Sequence, residues 1–478
     1  MNTVQRIARN MAALFTAHFI VVILSLVLSI FIARKLGDVA FGKYSFVLAF
    51  TAVFAVFSDL GYNTLLIREV ARDESQADKY LNNILSMRLL LSLIIFVLIT
   101  IIINVMGYPA DVKNITYLFA IYILILSFSD AFKVTFRAFE KMKYESGITV
   151  LSNAVRVSLG LLVLVLGYGL LELALVFLVS GIFDFLISFL ICEKKFVKSQ
   201  IELDLNFWKS TIRIALPLGL LSIFGLIYVR IDTLMLSMMK GDAVVGWYNA
   251  AYKLVLGFKP IPQLFMNAIF PLMARYYVSS NESLRKGYEK SFTYLLILGL
   301  PLATGITLLA DKIILLLYGE QFVHSVIALQ ILAWDTLLIF ICMPIDFMLV
   351  SMNKQNQMAA IVGGCALLNI ILNLILIPPL SYIGAGIATI ITEIVLFMLY
   401  FYFVSKYLYR LSLHKIIARP LIACSAMVMF IHFCGEIGLA VLIISAAVLY
   451  AVVLCLIGGF DEEDRKLIDD LISKEGRW

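Results

Sequence analysis

The chain has 478 residues and a net charge of +6; 62% of it is hydrophobic, only 15% is charged, and the mean hydropathy is +0.99. Soluble domains carry about 25% charged residues, and no water-exposed fold could hide this much apolar surface. The basic residues are dispersed, with no long basic run interleaved with aromatics, which argues against nucleic acid as a partner.

The apolar runs are continuous and about 20 residues long, the signature of membrane-spanning α-helices and not of the short alternating strands of a barrel. Arg6 and Arg9 precede a run from Met11 to Ile32 that is too long for a cleaved leader and lacks a small-residue cleavage site, so it is read as the first span. Spans are expected near 11–33, 43–67, 82–105, 115–138, 146–167, 171–192 and 211–238. A second set follows near 247–274, 290–310, 325–350, 357–377, 384–405, 415–434 and 437–457. The fold expected is therefore an all-α integral membrane protein of about fourteen transmembrane helices. With the N-terminus inside, the inner loops and tails hold roughly 25 Lys and Arg and the outer loops about six, a bias that places both termini in the cytoplasm of a cell (inner) membrane. Asp461-Glu462-Glu463-Asp464 and the residues after it predict a short amphipathic tail helix.

The sequence repeats itself. Gly37-Asp38-Val39-Ala40-Phe41-Gly42-Lys43-Tyr44 matches Gly241-Asp242-Ala243-Val244-Val245-Gly246-Trp247-Tyr248 at every fixed position of G-D-x-x-x-G-x-Y, and Ala71-Arg72 recurs as Ala274-Arg275. Each copy falls in the outer hairpin after the first span of a six-helix half. Because six is even, the halves have the same orientation and are related by an axis along the membrane normal. The divisions expected are a six-helix lobe at 1–195, a second at 196–410, two additional helices at 411–458 and a cytoplasmic tail at 459–478.

Charges inside spans are costly, about 2.5–3.5 kcal/mol each at a helix centre, so the many found here imply a shared polar interior. Arg230, Lys253, Arg156, Arg88, Lys133 and Lys259 are candidates for a cationic cavity that holds an anionic group, for which guanidinium offers a fork of donors. Interfacial snorkelling and structural ion pairs are the competing roles. Asp130, Lys133 and Arg137 share one face of the fourth span, as Asp335 and Asp346 share one face of the tenth. Arg230 and Asp232 point to opposite sides of the seventh, so Asp232 is read as structural, like Asp59. Asp335 and Glu393 are candidates to bind a coupling proton or sodium ion. His18 in the first span reads as a packing residue, and the six cysteines read as small core residues with no metal or redox spacing. Pro217, Pro260, Pro262, Pro301 and Pro344 predict kinks, those at Pro260 and Pro262 falling beside the cavity. No phosphate-binding loop, H-E-x-x-H or G-x-S-x-G occurs, so neither a cofactor nor an enzymatic activity is expected.

Leu36-Gly37 to Tyr44, Ser58-Asp59-Leu60-Gly61 through Arg68-Glu69, Ile231-Asp232-Thr233-Leu234-Met235-Leu236, and Gly246 to Tyr248 with Ala250-Ala251 resemble the polysaccharide flippases of the Wzx type. That family lies in the MOP exporter superfamily, beside MATE drug exporters and lipid II flippases. The resemblance implies two six-helix lobes plus two C-terminal helices, a central cationic cavity, and movement of a polyprenyl-pyrophosphate-linked oligosaccharide from the inner to the outer leaflet. It also implies transient contact with polysaccharide polymerases or glycosyltransferases. A MATE-like cation exporter and a membrane sugar polymerase or ligase are the alternatives. The near-equal numbers of bases and acids lean towards an anionic substrate, and the short outer loops lean away from an enzyme.

Overall fold

In hydrocarbon every backbone N–H and C=O must find its partner within the chain, and a computed structural model, which describes residues 3–459, meets this with helices throughout. The predicted tail at 461–468 lies outside the described residues. α1 (Thr3–Ala55) and α13 (Gln355–Tyr407) each run for 53 residues, about 80 Å at 1.5 Å per residue, against a hydrocarbon core of about 30 Å. Each therefore holds two crossings. α1 breaks at Gly37 (φ 82°, ψ 178°), and α13 breaks at Ser381 (φ 55°) just after Pro378 and Pro379.

Between them run α2 (Tyr62–Arg72), α3 (Ala77–Val105), α4 (Ala110–Ala138), α5 (Met142–Val165), α6 (Leu170–Lys195), α7 (Leu205–Lys240), α8 (Asp242–Leu256), α9 (Pro260–Ser279), α10 (Asn281–Leu308), α11 (Ala310–Leu317) and α12 (Ser325–Ser351). α14 (Leu413–Phe433) and α15 (Leu439–Leu456) close the chain. Eleven helices among the described residues are long and apolar enough to span. Counting two crossings in α1 and in α13, and α8 with α9 as one more, gives the fourteen read from the sequence. Both ends of the described chain then lie on one side, here called the N-terminal face. A stripe of exposed Leu89, Leu93, Val97, Ile101 and Val105 along α3 suits hydrocarbon.

α1 through α6 pack among themselves, as do α7 through α13, while α14 and α15 pair and lean on α10. The principal seam between the two bundles joins α1 to α8, and the repeated motif builds it. Gly241 has φ 87° and ψ 178°, matching Gly37, so both copies turn through the same left-handed conformation that glycine alone adopts at little cost. The second glycines meet reciprocally: a Cβ on Gly42 would lie 1.7 Å from the carbonyl oxygen of Asp242, and one on Gly246 would lie 2.2 Å from that of Asp38. The repeat is thus a two-fold backbone contact.

One expected span is interrupted. The run at 43–67 passes through a 3-10 turn (Val56–Ser58) and then Leu60 and Gly61, both left-handed, before α2 resumes. Gly61 permits backbone contact with α7, since a Cβ there would meet Ala215 O at 2.2 Å, while one on Gly219 would meet Leu60 C at 2.6 Å. The equivalent break in the second bundle falls between α8 and α9, where Pro260 opens α9 at a position needing no N–H partner, as the two prolines predicted. Of the cysteines, Cys192, Cys342, Cys365 and Cys424 are buried, while Cys455 is exposed.

Candidate functional site

The buried cations fall into two groups with different surroundings. In the first, each charge has a carboxylate. Arg88, 1% exposed, lies 3.0 Å from Asp59 Oδ1 and donates to Asn63 Oδ1 (2.7 Å) and to the Ser127 carbonyl. Asn63 in turn donates to Asp130 at 2.5 Å. Lys133 pairs with Asp184 at 2.6 Å, a carboxylate that also accepts from Ser129. Arg137 pairs with Glu145. The polar face of α4 therefore reaches α2, α6 and α5 at successive turns. Arg88 and Lys133, expected as cavity cations, stand here as structural pairs, and Asp59 is structural as expected.

The second group lies between the bundles and has no carboxylate. Arg156 of α5 donates to the Tyr122 hydroxyl, and its guanidinium sits 5.2 Å from the Phe177 ring centre. Lys253 of α8 donates to Ser29 Oγ at 3.1 Å and lies 4.6 Å from the ring centres of both Phe41 and Tyr44, which belong to the other bundle. Arg230 of α7 has a buried Nε with no hydrogen-bond partner, and its field falls on Lys253, Tyr44 and Tyr252. Among the described residues none of the three forms an ion pair. Arg156 and Lys253 are held by ring faces, whose negative quadrupole attracts a cation without cancelling its charge. Phe41, Tyr44, Phe119, Tyr122 and Phe177 form one ring cluster behind them. Sequence reasoning passed over these rings, although Tyr44 is a fixed position of the repeat.

Asp232 faces away from Arg230, as the helical spacing requires. It accepts from Tyr248 (2.7 Å), Asn373 (2.5 Å) and Thr389 (2.7 Å), a buried and structural carboxylate. Tyr248 is the counterpart of Tyr44, so the tyrosine of the first bundle attends a cation, Lys253, and that of the second an anion, Asp232.

Two clefts of about 610 Å³ each lie among the same helices, and none of Arg156, Arg230 and Lys253 lines either of them. One runs between α1 and α9, lined by Leu14, His18, Val22, Thr149, Gln263 and Asn267. The other lies inside the second bundle, lined by Tyr228, Val229, Asp346, Glu393 and Tyr400. Both include Lys259, Gln263 and Asn267, so they meet around the broken α8–α9 span. Lys259 is exposed at that meeting point. His18 is also exposed in its cleft, not packed as the sequence suggested. Asp335 is 2% exposed, with Oδ1 unpartnered, and its charge is felt together with that of Glu393 and Lys259.

Towards the opposite face the bundles are closed. Phe41 meets Tyr318 and Phe322 with ring centres 6.3 and 5.8 Å apart, and Tyr108 stacks on Phe46 at 4.5 Å while sharing a 2.8 Å hydrogen bond with Ser237. Trp247 Nε1 donates to Asp38 at 2.8 Å. The clefts, by contrast, reach Leu14, Arg137 and Glu145 on one side and Val350 and Met358 on the other, all near the N-terminal face.

The solved lipid II flippase MurJ, in an inward closed conformation, superposes with a TM-score of 0.78 at 15% identity, covering 95% of this chain and 99% of that one. A MATE-family multidrug resistance transporter in an inward-facing conformation gives 0.66 at 19% identity, covering 80% and 94%. These likenesses establish the fold. Capsular polysaccharide biosynthesis protein CapF of Staphylococcus aureus is 23% identical over 83% of this chain and 99% of its own. Agl15 of Haloferax volcanii, a probable low-salt glycan biosynthesis flippase, is 24% identical over 84% of each chain. A family model named MatE matches residues 217–375, and one described as polysaccharide biosynthesis protein matches residues 7–277, more than half of the sequence. The chain belongs to the polysaccharide biosynthesis protein family.

Proposed function

We propose that the protein is a flippase that carries a lipid-linked oligosaccharide, joined to its polyprenyl carrier through pyrophosphate, from the inner to the outer leaflet of the cell membrane. The observation that carries this reading is the trio Arg156, Arg230 and Lys253: three cations at the bundle seam without an ion-pairing carboxylate among the described residues, two of them, Arg156 and Lys253, seated against rings. An anion arriving between the bundles supplies the missing counter-charge, and it touches both bundles at once. Family membership and the relatives named for capsular polysaccharide and glycan biosynthesis support the saccharide. Lys259, at the junction of the clefts, is the cation a headgroup meets on the way in beyond the Arg137–Glu145 pair.

The positive-inside bias supports cytoplasmic termini, and the clefts then face the leaflet where such lipids are assembled. Alternating access would come from rocking the lobe at 1–195 against that at 196–410. Asp335, buried, and Glu393, half-buried in the cleft that Lys259 also lines, are the groups proposed to take up a coupling proton or sodium ion. Transport itself needs no bond-making, and transient contact with a polymerase or glycosyltransferase would pass the product on.

The test is transbilayer movement of a lipid-pyrophosphate oligosaccharide in proteoliposomes holding the wild type or Arg230→Ala, with a cationic dye as control. Protein-dependent lipid movement without dye transport, weakened by the substitution, is expected. Dye transport without lipid movement would favour the multidrug exporter reading to which the MatE match points.

A further inference from the structure

α6 ends at Lys195 and α7 begins at Leu205, and the stretch between them carries the chain from the first bundle to the second. It is laid against α3. The Gln200 N–H donates to Asn82 Oδ1 (3.0 Å), the Glu202 N–H to Ser86 Oγ (2.9 Å) and the Asp204 N–H to Asn83 Oδ1 (3.2 Å). All three acceptors are buried, and two are aimed by bonds to the helix behind them: Ser86 donates to the Asn82 carbonyl at 2.9 Å and Asn83 to that of Lys79 at 3.0 Å. N–H groups directed to one side at every second residue mark an extended chain, and Asp204 is extended at φ −104°, ψ 93°.

Gln200-Ile201-Glu202-Leu203-Asp204-Leu205 alternates polar and apolar residues at the same period, so the aliphatic side chains share a face. None is packed: Ile201 is 76% exposed, Leu203 69% and Leu205 70%. What lies beyond them follows from α3. At about 100° per residue, Asn82, Ser86, Leu89 and Leu93 fall within an arc of about 60°. Leu89 and Leu93 belong to the exposed stripe that suits hydrocarbon, and Asn82 and Ser86 continue it towards the N-terminal face, where the linker covers them. The outer surface of the linker therefore stands where α3 would otherwise meet lipid. The N–H groups of Ile201 and Leu203 turn to the open edge, which hydrocarbon would leave unsatisfied and hydrated headgroups would not. Exposed Lys198 and Lys209 flank the segment, with stems long enough to carry their charge out to headgroups.

We propose that residues 200–205 are an interfacial anchor: Ile201, Leu203 and Leu205 insert among phospholipids at the membrane boundary on the N-terminal face, so that the joint between the two bundles is seated on lipid. This holds whatever cargo the bundles carry.

Spin labelling of the full chain in nanodiscs tests it, in a background with Cys434→Ser and Cys455→Ser and a nitroxide placed by Gln200→Cys, Ile201→Cys, Glu202→Cys or Leu203→Cys in turn. Labels at 201 and 203 should collide with oxygen but meet a water-soluble nickel chelate about fivefold less often than labels at 200 and 202, because a polar chelate is excluded from the acyl region. Replacing two acceptors, Asn82→Ala with Ser86→Ala, should mobilise the label at 203 and erase that alternation. Equal nickel access at all four positions would overturn the proposal by placing the linker in water. Shielding of 201 and 203 from both oxygen and nickel would overturn it too, since the cover would then be protein, such as a partner strand on the open edge. An alternation unchanged by the double alanine variant would show that α3 does not set the seat.

Discussion

Arg88 and Arg230 are the same residue type, both inside the membrane-spanning bundle, and their surroundings are opposite. Arg88 is 1% exposed and answered by a carboxylate, an amide and a carbonyl. Arg230 shares with Arg88 a buried Nε without a partner, but among the described residues it forms no ion pair. The difference separates charge used to hold helices together from charge kept available. A paired charge locks the fold, and its loss strands its partner; an unpaired charge weakens the fold slightly, and its loss removes a binding group.

The largest effect that would break this comparison is on stability. Arg88→Ala should cost about 3–5 kcal/mol, because it removes a fully buried guanidinium that Asp59, Asn63 and the Ser127 carbonyl all accept from. Thermal unfolding in detergent should show the loss clearly; a variant as stable as wild type would refute the structural role. Lys133→Met should be nearly as damaging, and adding Asp184→Leu should recover most of that loss, since replacing a whole buried pair with apolar residues is often neutral. No recovery would mean that Asp184 matters for Ser129 and not for Lys133.

Arg230→Ala and Lys253→Ala should instead leave the melting temperature unchanged or raised, while lowering lipid-pyrophosphate flipping by about 10–100-fold, the loss of a charge-assisted contact of about 1.5–3 kcal/mol. Parallel loss of stability and flipping would erase the distinction drawn here. Tyr44→Leu, which removes a ring beneath Lys253, should weaken flipping by about threefold to tenfold, whereas Tyr44→Phe should keep it, because cation–π support of about 0.5–1 kcal/mol or more resides in the ring and not the hydroxyl. The smallest effect belongs to Lys43 and Asp111, paired at 2.5 Å with Asp111 half exposed. Lys43→Ala should change stability by about 1 kcal/mol or less.

The sequence carried the helices and their number because apolar length and loop charge are local properties. The repeat was legible for a similar reason: its glycines and tyrosines recur at fixed spacing, and only the pairing of Gly42 with Asp242 and Gly246 with Asp38 needed coordinates. The shared face of Asp130, Lys133 and Arg137 was readable from the helical period, but its partners were not. Asn63, Asp184 and Glu145 lie on other helices, and periodicity within one helix says nothing of its neighbours. That is why Arg88 and Lys133 stood among the cavity candidates beside Arg156, Arg230 and Lys253. The break at Leu60–Gly61 was hidden as well, because no proline marks it and a single glycine within a long span does not by itself announce a turn.

The crossing of Gly42 and Gly246 also sets a mechanical constraint. Two backbones in direct contact cannot be compressed, so a contact near one face acts as a fulcrum for any turning of one bundle against the other. A turn of about 10° about such a point displaces the far end of a span about 30 Å long by about 5 Å. The seam made by the repeat would then move little, while the clefts near the N-terminal face change width by the diameter of a sugar chain, so the leverage of the molecule is set by two residues that have no side chain.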